Sequence, residues 1–202
     1  MNKVAALRAD DARLAAFLRA RKDNAQSSGP AGNVVAGNLL QNGGFEEGPD
    51  PGEYKLHQAG STELRGWTVS RGNVDVVGSF FPASEGSRCL DLDGLQPGGI
   101  RQTVPTKAGQ KYRLIFDLAG SPHGSENVKK LRVQVAGQSA DFAFDITGRS
   151  DAVPGWVGKQ WEFTASESQT TVEFLSLDEG GSFGPLLDNI ALVPVSEEEK
   201  KK

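Results

Sequence analysis

KYRLIFDLAG, residues 111–120, sets Tyr112, Leu114, Phe116 and Leu118 on one side of an extended chain and Arg113 and Asp117 on the other. That split needs a two-residue period, so the segment reads as a half-buried β-strand. KLRVQV (130–135) repeats it with Leu131, Val133 and Val135. ADFAFDI (140–146), KQWEFTA (159–165) and TVEFLSL (171–177) carry it on through Phe142, Phe144, Ile146, Trp161, Phe163, Val172 and Phe174. Turns bearing Gly, Ser or Pro separate these runs, and GWTVS (66–70), NVDVVG (73–78), RCLDLDG (88–94) and GIRQTV (99–104) supply shorter strands upstream. Roughly ten strands with no helix between them specify an all-β fold, two antiparallel sheets packed as a β-sandwich or jelly roll.

The bulk numbers agree with that class. A chain of 202 residues holds one domain plus tails, and its 25 glycines, spread between short apolar runs, are too many for a helical protein of this length. A formal net charge of -4 supplies no basic field to attract nucleic acid or anionic lipid. The single Cys89 excludes an intrachain disulfide, and within RCLDLDG it reads as a small buried hydrophobe rather than a reactive thiol. No apolar run approaches the roughly 20 residues of a membrane helix, so no membrane span is predicted.

The ends differ in kind from the middle. Residues 1–23 are rich in Ala, Leu and Arg and place Val4, Leu7, Leu14, Phe17 and Leu18 on one helical face, which predicts an amphipathic arm. Arg8, Asp10, Asp11 and Arg13 interrupt any apolar core of a secretion signal, so none is visible here. Residues 24–37 read as a flexible linker, 38–195 as the β-domain, and 196–202, SEEEKKK, as a charged tail.

Five segments carry a family resemblance: NLLQNGGFEEGP (38–49), GWTVSRGNVDVVGSFF (66–81), GSRCLDLDG (86–94), PGGIRQTVPTKAGQKYRLIFDLAG (97–120) and SFGPLLDNIALVPV (182–195). Together they resemble the bacterial choice-of-anchor C family, which is related to a plant cell-wall domain of unknown function. Both are similar to the galactose-binding-like jelly rolls of carbohydrate-binding modules. The resemblance implies such a jelly roll, recognition of polysaccharide or cell-surface glycan, and an extracellular or surface location. Members usually carry a secretion signal and a C-terminal anchor, where this chain shows an amphipathic arm and a charged tail.

The resemblance also implies a metal. Similar modules hold a structural calcium at the positions of Glu46, in the Phe-Glu pair, and Asp188, in the Asp-Asn pair. If the first and last strands lie side by side, Phe45 enters the core, Glu46 points outward, and the two carboxylates join backbone carbonyls as hard-oxygen ligands for Ca2+. The alternative is two surface acids on edge strands.

Other motifs point away from chemistry. Asp91 and Asp93 in DLDG lack the third oxygen, the spaced glycine and the closing Glu of a calcium loop, and read as a strand end and turn. His57 and His123 are expected in separate loops without a second ligand at zinc spacing. Neither a nucleophile elbow nor a phosphate-binding loop is present, so no enzyme is expected.

For sugar, aromatic faces matter. Trp67 and Trp161 fall at core positions of strands, whereas Trp156 stands in the loop VPGWVGK (153–159) and Phe80 and Phe81 in GSFFPASEG (78–86). These three are the candidate ligand contacts; the competing reading has the loops folding back to cap the sandwich ends.

The expected function is a non-catalytic module for polysaccharide or glycan, stabilised by calcium. The alternative is a structural protein that decorates a larger particle or filament, self-associating or capturing a protein partner through residues 1–23. An isolated helix of that length is marginal in water and needs something to pack against. Replacing Leu14 and Leu18 with Glu is expected to abolish self-association or partner capture in light scattering, while the β-domain still melts cooperatively. A wild-type chain that stays monomeric at every concentration and captures nothing would remove the alternative.

Overall fold

The computed structural model describes residues 35–195. The predicted arm, with Leu7, Leu14, Phe17 and Leu18, the linker up to residue 34 and the tail at 196–202 lie outside the described residues. Within them the chain forms eleven strands: β1 (Tyr54–Gln58), β2 (Thr68–Arg71), β3 (Asn73–Val77), β4 (Cys89–Asp91), β5 (Gly99–Pro105), β6 (Lys111–Gly120), β7 (Val128–Val135), β8 (Gln138–Asp145), β9 (Val157–Thr164), β10 (Gln169–Ser176) and β11 (Pro185–Pro194). All pairings are antiparallel. One sheet has the order β1-β3-β4-β11-β6-β9, the other β2-β5-β10-β7-β8.

Strand period decides which side chains meet between the sheets. Phe116 of β6 lies 5.2 Å from the Phe174 ring of β10 and 5.1 Å from Phe142 of β8, so Leu114, Phe116 and Leu118 face inward. Register carries that face across the sheet, because Leu118 pairs with Leu187 of β11, Leu187 with Leu90 of β4, and Leu90 with Val76 of β3. Trp67 fills the centre as expected, 6.3 Å from Phe174, with its indole N–H donated to the Asn42 carbonyl. Burying each such side chain contributes about 1.5–3 kcal/mol.

The same register turns Asp75, Asp91, Asp117, Asp188 and Cys89 to the outer face of the six-stranded sheet. That face is not open. Asp91, Asp117, Asp188 and Cys89 are all buried, because loops fold back across it. Cys89 is a free buried thiol whose pKa burial pushes well up, as its reading from sequence requires.

Three expectations change. The segment 38–48, read as a first strand, is irregular: Leu39 N–H donates to the Leu192 carbonyl and Ile190 N–H to the Gly43 carbonyl, so it lies along β11 without forming a ladder. β11 accommodates this through a bulge between Asp188 and Ala191, with Asn189 at φ 53°. Asp188 is not a surface acid on an edge strand, since β11 is interior to its sheet. His57 is not in a loop but in β1, buried, its Nδ1 3.4 Å from Glu63, and burial lowers its pKa.

A Cβ at Gly43 would stand 1.9 Å from the Ile190 carbonyl oxygen, so only glycine allows the segment to approach β11. Gly43→Ala is expected to lower unfolding stability by about 1–3 kcal/mol in denaturant titration, the usual cost of forcing extra volume into a packed site. An unchanged midpoint would show that this contact is not needed.

Candidate functional site

Loops over the covered outer face carry the largest exposed aromatic cluster. Tyr54, at the start of β1, is 56% exposed, and Phe80 and Phe183, in the loops 78–88 and 177–184, are each 37% exposed. His123, from the loop 121–127, joins them: its ring centre lies 5.0 Å from that of Phe183 and 6.3 Å from Phe80, which lies 6.0 Å from Tyr54. His123 Nε2 lies 2.8 Å from an Asp151 carboxylate oxygen, an approach without hydrogen-bond geometry that leaves Nε2 without a hydrogen-bond partner among the described residues.

Of the three aromatics expected to touch ligand, each behaves differently. Phe80 is exposed. Phe81 is buried in the core cluster beneath it, 4.7 Å ring to ring, because the bend at 78–81 brings both rings together with Phe81 on the inside; a ligand cannot reach it. Trp156 is half-buried, packed against the core, and donates its indole N–H to the Pro82 carbonyl at 3.0 Å. It braces the loop that presents Phe80. Sequence reasoning passed over Tyr54, His123 and Phe183, yet Phe183 in GGSFG has the same signature that singled out Trp156, a lone aromatic in a glycine-rich loop. Trp161, half-buried, packs against the core as expected.

Glu46 and Asp188 come close to one another, both within 4 Å of the position a Gly44 Cβ would take. Their oxygens are already engaged. Glu46 Oε1 accepts N–H bonds from Ser87 (2.7 Å) and Arg88 (2.9 Å), and Oε2 accepts the Ser87 hydroxyl (2.8 Å). Asp188 Oδ2 accepts Glu85 N–H (3.0 Å) and Oδ1 accepts Asn189 N–H (2.7 Å). Calcium takes about 6–8 oxygens, and five of the roughly eight lone-pair sites on these two carboxylates are taken by N–H and O–H donors. Among the described residues no three His, Cys, Asp or Glu side chains converge as a metal site. The two carboxylates fasten the loop 84–88 over the sheet, helped by Ser84 Oγ donating to Asp117 at 2.7 Å.

Burial dominates the electrostatics of this face. It pushes Asp188 and Asp91 well above the usual carboxylate range, against the N–H donors that favour the charged form. It raises Asp75 and Asp93 to about 6 each.

Fold and cluster define the class: an antiparallel β-sandwich module of the jelly-roll kind with an aromatic surface carried on pinned loops. The chain belongs to the family described as "Protein of unknown function (DUF642)", which matches residues 38–193. The choice-of-anchor C likeness remains a resemblance of motifs. Halomucin of Haloquadratum walsbyi (strain DSM 16790 / HBSQ001) is 32% identical over 166 residues, covering 79% of this chain and 2% of halomucin. An Arabidopsis thaliana protein, DUF642 L-galactono-1,4-lactone-responsive gene 1, is 29% identical over 184 residues, 79% of this chain and 47% of the plant protein. The chain thus spans about half of that plant relative or less than a twentieth of halomucin. Among solved structures, the arabinose-bound MgGH51 α-L-arabinofuranosidase superposes with a TM-score of 0.53 at 16% identity, over 81% of this chain and 27% of the enzyme, a likeness of fold. No helix among the described residues is long and apolar enough to cross a membrane.

Glu46→Ala removes three hydrogen bonds at once and is expected to lower stability by about 1–3 kcal/mol. Chelation with EDTA is expected to leave the melting curve of the wild type unmoved. A drop in Tm on chelation, reversed by Ca2+ and absent from Glu46→Ala, would restore the calcium site.

Proposed function

We propose that this module binds carbohydrate without catalysing its breakdown, at a cell surface or outside the cell, through the aromatic cluster of Tyr54, Phe80, His123 and Phe183. The exposed cluster is the observation that carries the reading. Sugar rings present C–H faces that stack on aromatic rings, and a soluble protein rarely leaves several large aromatics together in water unless they meet something. The arabinose-bound enzyme supports it only through shared fold.

The other open face argues for the same location. Outward residues of the five-stranded sheet include Arg101, Thr103, Thr171, Glu173, Arg132, Gln134 and Asp141, tied together by the Thr103–Thr171 hydroxyl contact at 2.7 Å and the Arg132–Asp141 pair at 2.7 Å. That surface has satisfied itself and offers no ring to stack on.

Affinity electrophoresis in gels containing galactan, arabinan or xylan tests the reading. Retardation by at least one polymer is expected, and Phe80→Ala or Phe183→Ala should each weaken it by about 1.4 kcal/mol, a factor of ten. These exposed rings should leave stability within about 0.5 kcal/mol. Trp156→Ala, by contrast, should lower Tm as well as retention, because the brace to Pro82 is lost. Wild-type protein that runs unretarded in all three gels sinks the proposal.

A further inference from the structure

Beside Phe183 the loops 121–127 and 177–184 enclose a cleft of about 280 Å³, lined by Gly124, Ser125, Glu126, Lys129, Asp178 and Phe183 among others. Its volume lies just under the roughly 300 Å³ at which drug-sized pockets begin, which suits one small ring rather than a chain. Two buried charged groups at its floor lack the partners that such groups normally have.

Asp178 is 8% exposed. Its Oδ1 accepts the Lys130 N–H at 2.7 Å, but Oδ2 is buried with no hydrogen-bond partner. A buried acceptor left empty has lost its hydration with nothing in return and calls for an explanation. Lys129, 2% exposed, is the second. Its stem packs against Gly120, where a Cβ would stand 2.7 Å from Lys129 Cγ, and its Nζ lies 3.2 Å from where a Gly124 Cβ would be. Gly124 has φ +87°, a conformation that favours glycine and keeps the chain close to the ammonium. Lys129 makes no ion pair or hydrogen bond through Nζ among the described residues, although its charge is felt by Asp178 and Asp93. Asp93, beneath, also holds a buried oxygen without a partner.

We infer that this cleft is a hydroxyl-reading subsite for a single neutral sugar residue with free vicinal hydroxyls, whose ring face rests on Phe183. The inference builds on the carbohydrate reading above. One hydroxyl of a vicinal pair donates to Asp178 Oδ2 while its neighbour accepts from Lys129 Nζ, so both unpartnered groups are satisfied at once. Charge selects the class. Of the charged residues that line the cleft, Glu126 and Asp178 outnumber Lys129, so the carboxylate of a uronic acid or a sulfate ester meets net repulsion, whereas a neutral diol does not.

Titration calorimetry of the full chain with galactose, arabinose, xylose and galacturonate, run beside the polymer gels, tests it. At least one neutral monosaccharide is expected to bind, and galacturonate at least tenfold more weakly. Asp178→Asn keeps the acceptor for Lys130 N–H, and Lys129→Met keeps the packed stem; each should lose tenfold or more in monosaccharide affinity. Ser125→Trp, an exposed change that fills the cleft mouth, should lose it too without touching a buried group, so a folding defect in the other two cannot hide the answer. Phe80→Ala, outside the cleft, should keep monosaccharide binding while losing polymer retention. Absence of retention and of monosaccharide binding together defeats the parent reading. Retention intact with no monosaccharide bound, with galacturonate preferred, or with Ser125→Trp binding like wild type overturns the subsite alone.

Discussion

The contact between Gly43 and Ile190 is the hinge on which the rest of the domain hangs. Because Gly43 brings no Cβ, the segment 38–43 can lie against the bulge of β11, trading backbone bonds with Leu192 and Ile190. The same segment reaches the other sheet: Gln41 N–H donates to Gln102 Oε1 of β5, and Gln102 Nε2 donates back to the Gln41 carbonyl. One irregular strip thus closes the gap between the sheets. Phe45, at φ 58°, then turns into the core against Trp67, and Glu46 emerges beside it at the height of the loop 84–88. Phe45 beside two carboxylates therefore makes sense as a pivot, with the ring anchoring the strip inside and the first acid gripping a loop outside.

Acids on the outer face of the six-stranded sheet do comparable work. A buried carboxylate loses its hydration and must recover it from fixed donors. Asp117 takes Ser84 Oγ and Asn189 Nδ2, Asp188 takes two backbone N–H groups, and Asp91 takes those of Asp93 and Gly184. The bonds from Ser84, Glu85 and Gly184 tie loops to strands. The coverage is incomplete at Asp75 and Asp93, whose unpartnered oxygens go with pKa values raised to about 6 by burial. A group so raised favours folding at acid pH and loses that contribution as pH climbs through 6, because the unfolded chain gives up its proton near the ordinary value of 3.8.

How much of this could be read beforehand depends on what kind of force set each feature. Strands β5 to β10 follow from period-2 alternation, since a sheet buries alternate residues whatever its partners. The alternation misleads where a second layer covers the sheet: Asp117 in KYRLIFDLAG reads as solvent-facing but is buried, because loop 78–88 lies over it. The strip at 38–48 has the composition of a strand and turn, and only the position of β11 inside its sheet decides that it stays irregular. Phe80 and Phe81 show the limit for the site. Sequence marks both as candidate ligand contacts, but which one is buried depends on the direction from which the loop crosses the sheet. Tyr54, His123 and Phe183 are 129 residues apart at their extremes, and no local pattern can announce that the start of one strand and two loops bring them together.

Pinning matters for binding as much as for stability. Loops that must be ordered by a ligand charge that ordering to the affinity, on the order of 0.5–1.5 kcal/mol for each immobilised side chain. Here the loops are ordered by contacts within the domain itself. Phe80 is set from below by Phe81, from one side by the Trp156 bond to Pro82, and further along its loop by Ser84 on Asp117 and Ser87 on Glu46. Phe183 is held by its own N–H to the Asp93 carbonyl at 3.3 Å, and the His123 ring packs against it at 5.0 Å. The aromatic surface therefore behaves as part of the sandwich rather than as a set of mobile loops. A change at the far side of that chain of contacts, at Gly43 or Glu46, reaches the rings by loosening what holds them, even though neither residue comes near a ligand.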